Sequence, residues 1–179
     1  MSQVGTVYAQ ALYALTKEES CSEAVLKELA VLGESFAKEP QFVQLLSAPN
    51  LSKEERCGIL DESFRGKVHP YVLNFMKILT EKGYMRRFSD CCKAFRQLYN
   101  EDHGILEVFA YTAIALSDDQ RERLSQKLQA VTGKTIDLIN RVDPDCLGGV
   151  RLDYDGKRVD DTVEHRLESI SALLKNTVL

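Results

Sequence analysis

From residue 4 to about residue 103 the apolar side chains recur at helical spacing, and beyond Gly104 they alternate. A helix repeats every 3.6 residues and a strand every two, so a change of period at Gly104 demands two regions of different architecture. Val4, Val7, Tyr8, Ala11, Leu12 and Leu15 make one continuous stripe, the core face expected of a first helix. Ser20 and Glu23 stand at capping-box spacing ahead of Val25, Leu29, Leu32 and Phe36, a second helical face. Pro40 opens a short segment carrying Phe42, Val43, Leu45 and Leu46, and Pro49 ends it. Ser52 and Glu55 repeat the capping-box spacing before Cys57, Leu60 and Phe64. Pro70 starts a fifth helix with Val72, Phe75, Met76 and Leu79, stopped near Gly83. The sixth runs from about Phe88 through Cys92, Phe95 and Tyr99 to His103-Gly104. Six helices with short connections imply a compact bundle.

Past Gly104, Leu106, Val108, Ala110, Thr112, Ile114 and Leu116 share one face of a predicted strand. Ser117 and Gln120 have capping-box spacing and open a helix with Leu124, Leu128 and Val131, ended by Gly133. Ile136, Leu138 and Val142 predict a further strand. A glycine pair at 148–149 then breaks the chain, and Val150, Leu152 and Tyr154 alternate with Arg151 and Asp153. Asp155-Gly156 supplies a tight hairpin turn because both residues take positive φ at low cost, and Lys157–Val159 is the returning strand. Asp160-Asp161-Thr162 can cap a last helix with Val163, Leu167, Ile170 and Leu174 on one face. The expected fold class is α+β: an N-terminal six-helix bundle over 1–104 followed by a small C-terminal α/β domain over 105–179.

Most chemistry-bearing patterns in the chain have a structural reading that outweighs the functional one. Thr132-Gly133-Lys134-Thr135 looks like the end of a phosphate-binding loop, but position 128 is Leu and the local order is helix then strand, so amides at a helix N-terminus are not offered. His69, His103 and His165 are far apart along the sequence and fit surface or capping roles. Asp160-Asp161 near Glu164 fits a solvated N-capping turn better than a cation site. Cysteines at 21, 57, 91, 92 and 146 are odd in number and form no CxxC pair, as expected of small reduced thiols. With 44% apolar residues and a net charge of -4 the composition is that of an ordinary globular protein. There is no apolar run of membrane-spanning length, no cleavable signal peptide and no Arg-rich transit segment. Residues 1–104 hold 13 Lys+Arg against 14 Asp+Glu, and residues 105–179 hold 10 against 13. Only Arg86-Arg87 with Lys82 form a dense basic cluster, so neither half offers the basic face that phosphate backbones require.

Several segments, in order over nearly the whole chain, resemble the delta subunit of F-type ATP synthases, called OSCP in mitochondria. Tyr8, Ala9, Ala11 and Leu12 match the family's opening Tyr-Ala-x-Ala-Leu pattern. LLSAPNLSKEER keeps Pro49, Leu51 and Arg56 of a Leu-x-x-Pro-x-Ile/Leu-x-x-x-x-Lys/Arg segment. NFMKILTEKGYMRRF resembles the family's fifth helix and its exit, with Lys82-Gly83-Tyr84 where Asn-Gly-Arg is usual. Ala110 to Gln120 parallels Val-Thr-Ser-Ala-Val-Pro-Leu-Ser-Glu-Glu-Gln, and VDPDCLGGV at 142–150 is the most specific piece. The chain departs at Asp160-Asp161-Thr162, where the family has Asp-Gly-Ser, and at Glu164, where a basic residue is usual; Arg166-Leu167 are kept.

This resemblance implies a non-catalytic peripheral-stalk (stator) subunit that links the catalytic head of a rotary ATP synthase to the b subunits of its membrane sector. It implies no cofactor, no metal, no nucleic acid, and membrane association only through the complex, on the cytoplasmic face of a bacterial membrane. The helical half is expected to grip the N-terminal helices of the alpha subunits with Tyr8, Ala11, Leu12, Leu15, Phe75 and Leu79, although bundle core is the plainer reading of each. Ala9, Tyr13 and Ala14 lie off the main stripe of the first helix, so one helix can serve both purposes. The last helix is expected to meet the b subunits through Arg166, Leu167, Ile170 and Leu174. The alternative is an all-helical RNA-binding module of the kind found in transcription factors.

Overall fold

The computed structural model describes residues 3–48, 50–144, 146 and 148–160. They fold as α+β, with seven α-helices and a small four-stranded mixed sheet, and the chain divides into two compact units, Met1–Tyr99 and Asn100–Leu179. The stop expected at Pro49 and the last helix expected from Val163 lie outside the described residues.

In the first unit the helices are α1 (Gln3–Glu18), α2 (Ser22–Lys38), α3 (Pro40–Leu46), α4 (Lys53–Phe64), α5 (Pro70–Glu81) and α6 (Phe88–Asp102), with a short 3₁₀ turn at Met85–Arg87. The capping box of α4 forms as its spacing predicts: the Glu55 backbone N–H donates to Ser52 Oγ at 3.1 Å, and the Ser52 N–H donates to Glu55 Oε2 at 2.8 Å. The equivalent box at Ser20 and Glu23 does not form. Ser20 takes a left-handed conformation (φ 54°) that ends α1, with the Cys21 N–H reaching back to Thr16 O at 2.9 Å, so Cys21 is the residue that precedes α2. Val25, Leu29, Leu32 and Phe36 are buried as α2's period requires. The core draws on all six helices, from Leu46 of α3 and Leu60 of α4 to Phe95 of α6. Phe36 is its aromatic centre, with Phe42, Phe64 and Phe88 ring centroids 5.6, 6.1 and 5.1 Å away. Polar ties also join α5 to the helices beside it. The His69 N–H donates to Glu28 Oε2 at 2.7 Å, and Lys77 Nζ pairs with Asp61 at 2.6 Å, joining α5 to α4.

The second unit contains β1 (Ile105–Thr112), α7 (Asp118–Thr132), β2 (Thr135–Val142), β3 (Val150–Tyr154) and β4 (Lys157–Asp160) in the sheet order β2-β1-β3-β4. β1 and β2 run parallel through the α7 crossover, and the other neighbours are antiparallel. Leu106, Val108, Ala110 and Thr112 are buried on one face of β1. The predicted strand overruns, because Thr112 Oγ1 donates to the Ile114 carbonyl at 2.7 Å and turns the chain, leaving Ile114 exposed. The capping box at Ser117 and Gln120 forms, at 3.3 and 3.0 Å. Val131, expected on α7's buried face, is 86% exposed; Leu124 and Leu128 alone of the three pack on the sheet. Asp155 (φ 47°) and Gly156 (φ 71°) make the hairpin turn as predicted.

Candidate functional site

α1 carries two apolar stripes, and the structure buries the one with the smaller residues. Gly5, Ala9, Leu12, Tyr13 and Thr16 face inward, whereas Val7, Ala11 and Leu15 are exposed and Tyr8 is half-buried. Gly5 favours this choice: a Cβ there would lie 3.0 Å from Asp90 Cβ and 3.4 Å from Cys91 N, so α1 approaches the start of α6 closely enough that any side chain would press on it. Tyr13 then meets Phe95 edge-on at 5.4 Å. Thr16 is buried because its Oγ1 donates to the Tyr13 carbonyl and accepts from Ser22 Oγ. Of the site residues expected on α1, Leu12 is therefore core, and Tyr8, Ala11 and Leu15 (40% exposed) are accessible.

The two residues expected on α5 are corrected. Phe75 (5% exposed) and Leu79 (0%) lie inside the bundle core and offer no surface, because they belong to the face of α5 turned toward the other helices. Sequence reasoning missed Ile78, 44% exposed on the same helix, and Tyr84 just beyond it. Tyr84 stacks in a tilted arrangement on Tyr8, with centroids 6.0 Å apart, and so links the exposed stripe of α1 to the exit of α5. α1 and α5 also pack directly against each other. The signal for Ile78 was present in its spacing, eight residues after Pro70, but one exposed isoleucine has no pattern of its own. Apart from the Tyr8 and Tyr84 hydroxyls the exposed side chains of this surface are apolar, and such a surface can bind by area buried.

Elsewhere the side chains have structural roles. Gly133 (φ 69°) ends α7 and the Lys134 N–H is taken by Thr132 Oγ1 at 3.3 Å, so 132–135 is a helix C-terminus and not a phosphate cradle. All five cysteines are free thiols. Burial pushes the Cys91 thiol up to about 11, with help from Asp90, and burial likewise pushes Cys92 up to about 12, with help from Cys91, so neither is a thiolate at neutral pH. Among the described residues no group of three His, Cys, Asp or Glu side chains could hold a metal ion. Arg166, Leu167, Ile170 and Leu174 lie outside the described residues.

The face of the sheet opposite Leu106, Val108 and Ala110 stacks guanidinium groups on rings: Arg141 over Phe109 at 4.7 Å and Arg151 over Tyr111 at 4.3 Å. Arg158 forks onto both carboxylate oxygens of Asp153, at 3.0 and 3.3 Å, and Arg151 reaches Asp143 at 3.7 Å.

Comparison with known proteins gives one consistent result. The family model described as ATP synthase delta (OSCP) subunit matches residues 4–174. An ATP synthase subunit delta from Alkaliphilus oremlandii (strain OhILAs) is 31% identical over 172 residues, covering 96% of both chains. That of Clostridium kluyveri is 29% identical over 167 residues, 93% of this chain and 92% of its own. The fold is similar to a chain in the cryo-EM structure of the Toxoplasma gondii mitochondrial ATP synthase hexamer, with a TM-score of 0.77 and 18% identity, covering 97% of this chain and 98% of that one.

Proposed function

The chain belongs to the ATP synthase delta (OSCP) subunit family, and from that premise we propose that it is the non-catalytic stator subunit tying the catalytic head of an F-type ATP synthase to its membrane sector. Holding the head against the torque of the rotor is what couples ion-driven rotation to ATP synthesis. A connector under torque needs a broad apolar contact and no reactive group. The reading extends to the two halves of the chain. Residues 1–104, with six helices acting as one bundle, grip the N-terminal helices of the alpha subunits. Residues 105–179 meet the b subunits, through Arg166, Leu167, Ile170 and Leu174. The protein has no active site of its own and joins the cytoplasmic face of the membrane only as part of the complex. No helix among the described residues is long and apolar enough to cross a membrane.

The observation that carries the head-binding assignment is the exposed stripe of Tyr8, Ala11 and Leu15 beside Ile78 and Tyr84. Ala11 is small and accessible at the middle of it, so a partner helix can approach closely there. The RNA-binding alternative is not favoured: the family match is continuous over residues 4–174, and the arginines of the sheet face are paired or stacked.

The test is a pair of aspartates. Ala11→Asp places a charge on the exposed stripe and is expected to abolish attachment of the head to the membrane sector in reconstituted complexes, with the circular dichroism melt close to that of the wild type. Leu29→Asp buries a charge at a position 1% exposed and is expected to unfold the helical unit, at a cost of about 4 kcal/mol or more. Equal unfolding of the two variants, or an Ala11→Asp complex that still couples, removes the support for this surface.

A further inference from the structure

β2 lies at one side of the sheet, with β1 on one flank and, among the described residues, no strand on the other. The Thr135 N–H donates to the Gly104 carbonyl, and the Asp143 N–H, just past the strand, donates to the Thr112 carbonyl. Backbone groups alternate in direction along a strand. Thr135, Asp137, Ile139 and Arg141 therefore direct theirs to β1, and Ile136, Leu138, Asn140 and Val142 turn theirs outward. Charged side chains are the usual guard of such an edge, and this one carries two of opposite sign, Asp137 and Arg141, both exposed. Neither has an ion pair among the described residues. Asp137 stands in register beside another acid, Glu107, and Arg141 lies over the Phe109 ring.

Opposite charges four residues apart on one face of a strand suit that same strand reversed. With two copies of β2 antiparallel about a two-fold axis at Ile139, Asp137 of each copy stands opposite Arg141 of the other. The same register sets Leu138 against Asn140 and Ile136 against Val142, so every outward N–H and C=O along the strand gains a partner. Val142 is 53% exposed and shares a face with half-buried Ile136, so that pair covers apolar surface as well. An axis at Leu138 or Asn140 does worse: it sets Asp137 against Ile139 or against Asp143, and leaves Val142 or Ile136 facing no residue of the strand. We propose that this edge is an interface between two copies of the chain, joined β2 to β2 about Ile139 into one continuous sheet. The pairing uses none of the α1 surface, so its failure leaves the head-binding reading untouched.

The test is sedimentation of the full chain in the analytical ultracentrifuge over rising concentration. The wild type is expected to pass from monomer to dimer. Asp137→Arg and Arg141→Asp each set like charges opposite one another twice, and each is expected to weaken the dimer about tenfold. Both positions are exposed, so the circular dichroism melts should stay close to that of the wild type. The double variant Asp137→Arg/Arg141→Asp restores the opposite-charge pairs and should recover the dimer, which a merely structural effect of either change would not. Ala11→Asp, on the other unit, should leave dimerisation unchanged. A wild type that stays monomeric up to about 1 mM, a dimer indifferent to the single reversals, or a double variant that fails to regain it would overturn the proposal.

Discussion

The two units solve the same problem with different means. In the helical unit every helix contributes a buried side chain to one core, and its centre is a packed set of phenylalanines. In the described part of the sheet unit the buried cluster is Leu106, Val108, Ala110 and Leu152, and α7 has no fully buried residue. What the sheet unit has instead is a polar clasp. The Asn140 amide donates to the Ala110 carbonyl and to Thr112 Oγ1, both at 2.9 Å, and its carbonyl accepts from the Leu116 N–H at 2.9 Å, so one side chain ties β2, β1 and the approach to α7. Burial is non-directional and scales with area, whereas hydrogen bonds are local and fail individually. A thick core can therefore leave spare apolar residues on its surface, and α1 does so.

The contrast can be broken most forcefully by truncating side chains on either side of it. Phe95→Ala, in the helical core, is expected to cost about 3–5 kcal/mol, and Leu128→Ala, half-buried on α7, less than about 2 kcal/mol. Chemical denaturation of both variants checks this, and equal losses would mean that the sheet unit is as deeply packed as the bundle. Asn140→Ala should cost about 2 kcal/mol by leaving the Leu116 N–H and the Ala110 carbonyl without their partner. Hydrogen exchange should show the loss confined to residues 105–142.

Glycines give a smaller effect of opposite sign. Gly5→Ala should destabilise by about 1 kcal/mol, because the new Cβ presses on the backbone of α6. Gly58→Ala, inside α4 with nothing within 4 Å, should stabilise by about 0.5–1 kcal/mol through helix propensity. The smallest expected effect is from pH. The hydrogen bond from Lys77, reinforced by Arg65, holds the Asp61 carboxyl below its ordinary value. A depressed carboxylate contributes stability that is present above the unfolded value, about 3.9, and is lost as pH falls through the lower folded value. Acid melts should thus weaken the α4–α5 contact in the wild type, and Asp61→Asn should flatten that part of the profile.

These same contrasts explain what could be read from the sequence. Caps that depend on a few consecutive residues were legible where nothing competed, at Ser52 with Glu55 and at Ser117 with Gln120. The identical spacing at Ser20 failed because the end of α1 needed a left-handed residue there. The helical character of residues 4–103 followed from period, but period cannot say which of two apolar stripes meets a neighbour. In α1 the inward stripe was hidden by Gly5 and Thr16, a residue with no side chain and a polar one. Both are explained only by what they touch: Gly5 by the backbone of α6, Thr16 by Tyr13 and Ser22. On α5 the residues chosen for the site, Phe75 and Leu79, share the helix face of Val72 and Met76, and that face is turned to the core while the equally apolar Ile78 is exposed. The turn at Asp155-Gly156 was legible because φ preference is local, whereas the end of β1 depended on a hydrogen bond from Thr112.

The central claim is that the helical unit docks the head through spare apolar surface on α1. It is tested most directly by calorimetric titration of the full chain with a synthetic peptide copying the N-terminus of the same organism's alpha subunit. The account predicts one-to-one binding that persists when salt is raised and is lost in Ala11→Asp. No detectable binding to the folded chain, or binding that disappears with salt and is indifferent to Ala11→Asp, would contradict it.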